Sequence, residues 1–168
     1  MIGDLIKHKK HQKASMIYEN PQQFNAVLPP HEGRLLALDI GEKRIGLATC
    51  DNTRTIASPF DCYTRINTRK DIGYLRRICN QEEIVGIVCG LPVELSGTEG
   101  ANCALIRKFL NKLLEKVFLP ALLYDERMST AAVTRTMKEA GVKRKNRHKH
   151  DDALAACYIL QNVLDIDP

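Results

Sequence analysis

Acidic residues stand at the ends of three predicted secondary-structure elements that are far apart in the sequence. These residues are Asp39 in the apolar run LLALDI, Asp125 and Glu126 after the run ALLY, and Asp151 and Asp152 at the start of DDALAACYILQNVL. In-line cleavage of a phosphodiester needs an activated water and a stabilised leaving oxygen, which two divalent cations about 4 Å apart can provide. Magnesium binds hard oxygen ligands, so a few carboxylates would complete such a site. These residues therefore predict a metal-dependent hydrolase if folding brings the three element ends together.

Asp39 lies where burial is expected, because the stretch LALDIGEKRIGLATCD is typical of two strands joined by a tight turn. A buried charge without a partner is costly, or is neutralised by a shift of its pKa. The sequence therefore predicts a partner for Asp39. This partner is either a metal ion or one of the turn cations, Lys43 and Arg44.

The other acids also have simpler explanations. Side chains alternate along a strand, so Asp125 and Glu126 should point to opposite sides, and only one of them should face a common site. Glu126 could be a surface acid paired with Arg127. Asp152 could be a helix N-cap or first-turn acid that complements the helix dipole. For Asp152 this role is compatible with metal binding.

The elements that must position these acids follow the order β, β, β, α, β, α, β, α, α. The stretches RLLALDI, RIGLATCD and SPFDCYTR predict a three-strand meander, and strands and helices alternate after it. The uninterrupted apolar run IVGIVCGLP indicates a strand covered on both faces. We therefore expect an α/β fold with a mixed five-stranded sheet and helices on both faces. Ligands of such folds usually bind at the carboxyl ends of the central strands.

Composition sets the outer limits of these expectations. The 168 residues suit one domain, and the 25 Lys and Arg against 20 Asp and Glu favour polyanionic partners only mildly. Residues 1–33 are polar and basic without a sustained period, and predict a poorly ordered extension before a folded domain of residues 34–168. Six cysteines without C-x-x-C spacing predict reduced thiols in a cytoplasmic protein. No apolar run reaches the roughly 18 residues of a membrane span, so no membrane partner is expected.

A dense basic stretch, KRKNRHKH, precedes the last predicted helix. Its cations are Lys143, Arg144, Lys145, Arg147 and Lys149. Such runs usually form solvated loops. Because this run leads into the helix that carries Asp152, it is also a candidate for holding a nucleic-acid backbone in a salt-dependent way. Arg127 is a candidate for stabilising charge on a scissile phosphate.

Four ordered motifs resemble those of the YqgF/RuvX family, and the resemblance covers residues 34–164. The motifs are LDIGEKRIGLATCD, IVGIVCGLPVELSGTEG, YDERMST and DALAACYILQNVL. That family has the ribonuclease H-like fold of the RuvC resolvases. Its members are described as Holliday junction resolvases and as nucleases that trim the 5′ end of precursor 16S rRNA in the bacterial cytoplasm. This sequence departs from the family pattern at Asp151, where an aliphatic residue is usual, and in residues 1–33.

The resemblance implies a nuclease that uses Mg²⁺ or Mn²⁺. Its catalytic and metal-binding residues would be Asp39, Glu126 and Asp152, with Asp125 or Asp151 as a further candidate ligand. Nucleic acid would be held by Lys43, Arg44, Arg127 and the basic stretch. The family favours precursor rRNA as the substrate, and branched DNA is the alternative. Two rivals are an actin- or sugar-kinase-like phosphotransferase and a binding module without catalysis. The sequence does not report the oligomeric state.

Overall fold

The computed structural model describes residues 16–128 and 144–166, and for residues 144–150 it describes the backbone alone. One mixed sheet of six strands forms its centre. The strands are β1 (Ile17–Tyr18), β2 (Arg34–Ile40), β3 (Arg44–Cys50), β4 (Ala57–Thr64), β5 (Ile84–Leu91) and β6 (Ala121–Asp125). The spatial order is β1-β6-β5-β2-β3-β4. The pairs β2–β3 and β3–β4 are antiparallel, and β2–β5, β5–β6 and β1–β6 are parallel. The predicted meander and mixed α/β sheet are confirmed, and β1 is a sixth strand that the sequence did not indicate.

Four helices cover both faces of this sheet. They are α1 (Pro21–Val27), α2 (Thr68–Gln81), α3 (Ala101–Val117) and α4 (Arg144–Leu164). Helices α2 and α3 pack on one face with Leu36, Leu38 and Ile40 of β2. Helices α1 and α4 pack on the other face with Leu35 and Ala37. Because side chains alternate along β2, Asp39 belongs to the α4 face.

Apolar patterning explains the central strands. In β5 every residue except Val85 is buried, as expected for a parallel strand between two layers of helices. Polar caps fix two of the helices: the Asn67 side chain accepts a hydrogen bond from the Lys70 backbone at the start of α2, and Asn20 accepts one from Gln23 at the start of α1. Pro21 stands in the first turn of α1, where a missing N–H costs nothing.

Part of the predicted extension is an ordered piece of the fold. Residues 16–33 contain β1 and α1, and the Phe24 side chain of α1 is fully buried together with Leu28 on the α4 face of the sheet. The apolar residues of this segment are irregularly spaced and give no sustained period, which is why the sequence pattern did not reveal the two buried side chains. Residues 1–15 lie outside the described residues.

Two further predictions concern the C-terminal third of the chain. The first of the two helices predicted after the last strand, at STAAVTRTMKEAG, lies outside the described residues. The basic stretch differs from the loop that was expected, because residues 144–150 form the first two turns of α4. Lys143 lies outside the described residues, whereas Arg144, Lys145, Arg147 and Lys149 are positions on this helix.

Candidate active site

The acids of interest lie at one edge of the sheet, where β2, β5 and β6 have their carboxyl ends. In the register of the antiparallel β2–β3 pair, Asp39 is the partner of Gly46. In the parallel β5–β6 pair, Leu91 is the partner of Asp125. The sheet therefore brings Asp39 and the end of β6 to the same edge, with β5 between them, as the sequence predicted.

A glycine in β3 allows helix α4 to approach this edge. A Cβ atom built on Gly46 would lie 2.0 Å from the carbonyl oxygen of Asp152 and 3.0 Å from the backbone nitrogen of Ala153. No side chain fits there, so the backbone of α4 lies directly on β3. Because Gly46 is the strand partner of Asp39, this contact places Asp152 beside Asp39.

A second glycine makes room for Glu126. A Cβ atom on Gly90 of β5 would lie 2.5 Å from Oε1 of Glu126 and 2.7 Å from Cδ1 of Ile159 in α4. The Glu126 side chain therefore lies over β5, between the sheet and α4. Glu126 and Asp39 share the α4 face, which is the outcome expected if only one member of the Asp125–Glu126 pair faces the site.

The electrostatics show that these acids lie near one another. Burial, together with the charge of Asp152, raises the pKa of Asp39 to about 6, and no donor or cation among the described residues lowers it. Burial, together with the charges of Asp39 and Asp125, raises the pKa of Glu126 to about 7. The buried thiol of Cys89 also has a raised pKa, from burial and from the charges of Asp39 and Glu126. Asp39 is therefore the common neighbour of Glu126 and Asp152.

Asp152 has a cationic partner. Nε of Arg44 donates to Oδ2 of Asp152 at 2.8 Å, and Sγ of Cys62 lies 3.8 Å from the same oxygen. The turn cation Arg44 thus pairs with Asp152 rather than with Asp39. Lys43, the other turn cation, is exposed. The sequence left open that a turn cation neutralises Asp39. Arg44 does not do so, because it pairs with Asp152.

The Asp125 side chain is hydrogen-bonded to Arg127. Its carboxylate accepts from Nη2 of Arg127 at 2.6 Å, and from the backbone nitrogen of Arg127 at 2.9 Å. This guanidinium holds the pKa of Asp125 below its ordinary value. Arg127 therefore pairs with Asp125 and not with Glu126, and its own position at the sheet edge is fixed by that bond. Asp151 is half-buried at the site end of α4.

Asp39, Glu126 and Asp152 offer carboxylate oxygens, which are the ligands that hard cations prefer. In this structure the three side chains do not form one metal-binding group. Within the part of the chain that the structure describes, no three His, Cys, Asp or Glu side chains form a group that could hold a metal ion as it stands. The Arg44–Asp152 bond gives a physical reason, because it directs Oδ2 of Asp152 to a guanidinium.

Sequence reasoning missed the residues that position the acids. Gly46 and Gly90 interrupt two apolar strands, and a glycine inside a strand often marks the close approach of another backbone or side chain. That signal was available. The Arg44–Asp152 pair joins residues 108 positions apart, and the contact of Cys62 with Asp152 gives no local pattern. Among the described helices, none is long and apolar enough to cross a membrane.

Comparison with known proteins gives consistent matches. The family model described as RuvX: Holliday junction resolvase matches residues 33–166. A relative from Anaplasma marginale, provisionally named a pre-16S rRNA nuclease, is 47% identical over 133 residues, which cover 79% of this chain and 85% of the relative. A relative with the same name from Ehrlichia ruminantium (strain Welgevonden) is 42% identical over 151 residues, covering 90% of this chain and 96% of the relative.

A solved structure also resembles this fold. T. thermophilus RuvC in complex with a Holliday junction substrate superposes with a TM-score of 0.53 at 12% identity, covering 76% of this chain and 92% of that chain. At that identity the likeness shows a common fold and nothing more. The fold is therefore that of the RuvC-like, ribonuclease H-type resolvases, as the sequence predicted.

Proposed function

The chain belongs to the RuvX family and is a nuclease. We propose that it processes the 5′ end of precursor 16S rRNA. We also propose that Asp39, Glu126 and Asp152 are its catalytic acids. Nucleic acid is the substrate class of the family. The names of the relatives favour precursor rRNA over branched DNA. Branched DNA is the second candidate, because the family description names the Holliday junction.

One observation carries the assignment of the acids. Asp39 and Glu126 lie half-buried on the same face of the sheet edge. Burial and the charge of Asp152 raise the pKa of Asp39, and burial and the charges of Asp39 and Asp125 raise the pKa of Glu126. Such a pair is electrostatically strained at neutral pH. A divalent cation relieves this strain, and an arrangement that is unfavourable without a cation is expected where binding one is the purpose of the site.

The residues fit Mg²⁺ or Mn²⁺, since carboxylate oxygens are the donors that both ions accept. Asp39 and Glu126 would hold the cation, and Asp152 would join them when it exchanges its bond to Arg44 for the ion. A bound cation supplies positive charge that activates the attacking water and stabilises the leaving oxygen. Cys89 is unsuited as a ligand, because burial keeps its thiol protonated.

The cations of the chain have separate tasks in this proposal. Arg44 neutralises Asp152, and its guanidinium would be available to a phosphate if Asp152 helped to hold a cation instead. Asp125 holds Arg127 in one place, where its guanidinium can stabilise the charge that develops on the scissile phosphate. Lys43 and the basic first turns of α4 bind the nucleic-acid backbone. The site of action is the bacterial cytoplasm, where ribosomal RNA is made, and six free cysteines suit that compartment.

The test is cleavage of two labelled substrates by the purified protein, with Mg²⁺, with Mn²⁺ and with EDTA. One substrate is RNA that spans the 5′ end of 16S rRNA and its leader, and the other is a four-way DNA junction. We expect cleavage of the RNA in the presence of either ion. Asp39→Asn and Glu126→Gln should abolish this cleavage, whereas the exposed control Glu115→Gln on α3 should cleave at the wild-type rate.

The outcomes separate the candidate functions. Cleavage of the junction alone would replace the rRNA assignment by a resolvase. Wild-type rates for Asp39→Asn would refute the assignment of the acids. In the host, depletion of the protein should leave precursor 16S rRNA with an unprocessed 5′ end, and a mature 5′ end after depletion would contradict the proposed substrate.

A further inference from the structure

A cleft of about 890 Å³ opens on the other face of the same sheet edge. Its walls are the turn between β2 and β3, the chain that leads from β4 into α2, and helix α3. Its lining begins at Ile40 and Gly41, which directly follow Asp39 in the chain. We call it the α2–α3 cleft. It is separate from the acids, which lie on the α4 face, but the β2–β3 turn in its wall directly follows the strand that carries Asp39.

Arg65 contacts all three walls of the α2–α3 cleft. Its Nη1 donates to the carbonyl oxygen of Gly41 at 2.9 Å, and its Nε donates to Oδ2 of Asp71 at 3.0 Å. Its guanidinium also lies 5.0 Å from the centre of the Phe109 ring in α3. Asp71 is 1% exposed and also accepts from the backbone nitrogen of Ile66. One side chain therefore joins the turn, α2 and α3, so the cleft is formed before any ligand arrives.

The cleft exposes apolar surface. Ile66 and Leu105 both line it, and each is 65% exposed. Ile106 and Phe109 lie below them and belong to the core. Two large aliphatic side chains at such exposure in one concave place are unusual for a surface without a ligand. An apolar surface of this kind suits a flat, partly apolar group.

The charge of the cleft is positive. Arg65 and Asp71 neutralise each other, and the remaining charged residues of the lining are Lys43, Lys108 and Lys112 against Glu42. Lys108 and Lys112 are one turn apart on α3, and Lys43 stands on the β2–β3 turn. Apolar surface that shares one cleft with three lysines is complementary to a nucleotide, whose base is apolar on its faces and whose phosphates are anionic.

We propose that the α2–α3 cleft binds an unpaired nucleotide of the substrate strand, next to the phosphate that is cut. The base lies against Ile66 and Leu105, and its flanking phosphates contact Lys108 and Lys112. The strand reaches the acids by crossing the turn at Lys43. The base must be unpaired, because a base inside a helix presents no face to a protein surface. This inference rests on the proposed nuclease function and adds to it a requirement for single-stranded substrate beside the cut.

Binding of a short single-stranded oligoribonucleotide tests the phosphate contacts. Fluorescence anisotropy in EDTA gives the dissociation constant at salt concentrations from about 50 to 200 mM. Each lost contact to a single strand reduces the slope of log K against log salt by about 0.7, so Lys108→Gln combined with Lys112→Gln should flatten it by about 1.4. Lys116→Gln is the matched control, one turn further along α3 and outside the cleft lining, and it should keep the wild-type slope.

An oligonucleotide with abasic sites tests the base contact. Leu105→Ala should weaken binding of the normal strand roughly fivefold, since part of the burial of three carbon atoms is lost. It should not change binding of a strand of equal length without bases. Leu95→Ala, at a side chain that is 96% exposed and outside the cleft lining, is the control and should bind both strands like the wild type.

The results distinguish this inference from the proposed function. Metal-dependent cleavage by the wild type reports on the function, and the cleft variants report on the inference. If the wild type cleaves while the cleft variants keep the wild-type affinity and salt slope, the inference alone fails. If those variants bind RNA normally but lose binding to an acidic peptide, the cleft is a protein-docking site and the inference is overturned. A wild type that neither binds nor cleaves RNA would refute both.

Discussion

Replacing the charge of Asp39 should make the metal-free protein more stable above neutral pH. The pKa of Asp39 is raised from 3.8 to about 6, so between these values the folded state binds more protons than the unfolded state. Wild-type stability therefore falls as the pH rises through this window. A shift of about two units corresponds to about 3 kcal/mol at most. Since Asp39 is only partly buried and keeps some contact with water, we expect Asp39→Asn to gain about 2 kcal/mol near pH 8 and almost nothing near pH 4.

Urea denaturation in EDTA at both pH values measures this difference. Glu115→Gln, at an exposed position of α3, is the control and should change stability by less than about 0.5 kcal/mol at either pH. Added Mg²⁺ should reverse the order near pH 8, because an ion at one hundred times its dissociation constant stabilises a folded site by about 2.7 kcal/mol and should act on the wild type alone. If Asp39→Asn is no more stable than the wild type near pH 8, Asp39 is not in a strained acidic cluster, and the reasoning behind the cation site fails.

Three further predictions concern packing and use urea denaturation as the measurement. Gly46→Ala places a Cβ atom 2.0 Å from the Asp152 carbonyl oxygen, so it should cost about 3 kcal/mol and abolish cleavage. The contrasting variant Gly73→Ala, in α2 with no atom within 4 Å of the new Cβ, should gain about 0.5–1 kcal/mol, and equal effects would contradict the close contact of α4 with β3. Arg65→Ala leaves the buried Asp71 without its cation and should cost about 3 kcal/mol, whereas a loss below about 1 kcal/mol would mean that Arg65 does not brace the cleft. Phe24→Ala should cost about 4 kcal/mol, and a near-neutral result would mean that α1 is not part of the core.

The sequence predicted those parts of the fold that depend on local patterns. Alternating or continuous apolar residues indicated β2 to β6. The first predicted helix is α2, where Ile72, Leu75 and Ile78 recur at helical spacing and are buried. The strand β1 has only two residues, which is too short for any periodic signal. The first turns of α4 are strongly basic, so their composition resembled that of a solvated loop.

The sequence predicted which residue types form the candidate site, but only some of the contacts between them. The topology of a mixed sheet explains why Asp39 and the end of β6 meet, and alternation left one of Asp125 and Glu126 for the site. The family resemblance selected Asp152. The bond from Arg44 to Asp152 could not be predicted, because it depends on how closely α4 approaches β3 and not on any spacing in the chain.

Phe24 and Gly86 are in contact across the boundary of the region that the RuvX model matches. Gly86 of β5 lies within the span of the RuvX model, and a Cβ atom added there would be 3.0 Å from Cζ of Phe24 and 2.8 Å from Cδ2 of Leu28. Phe24 and Leu28 precede that span. The Phe24 ring fills the space that the missing side chain of Gly86 leaves over β5. Without Phe24 and Leu28 the space over Gly86 would be empty, and a larger side chain at position 86 would clash with both of them.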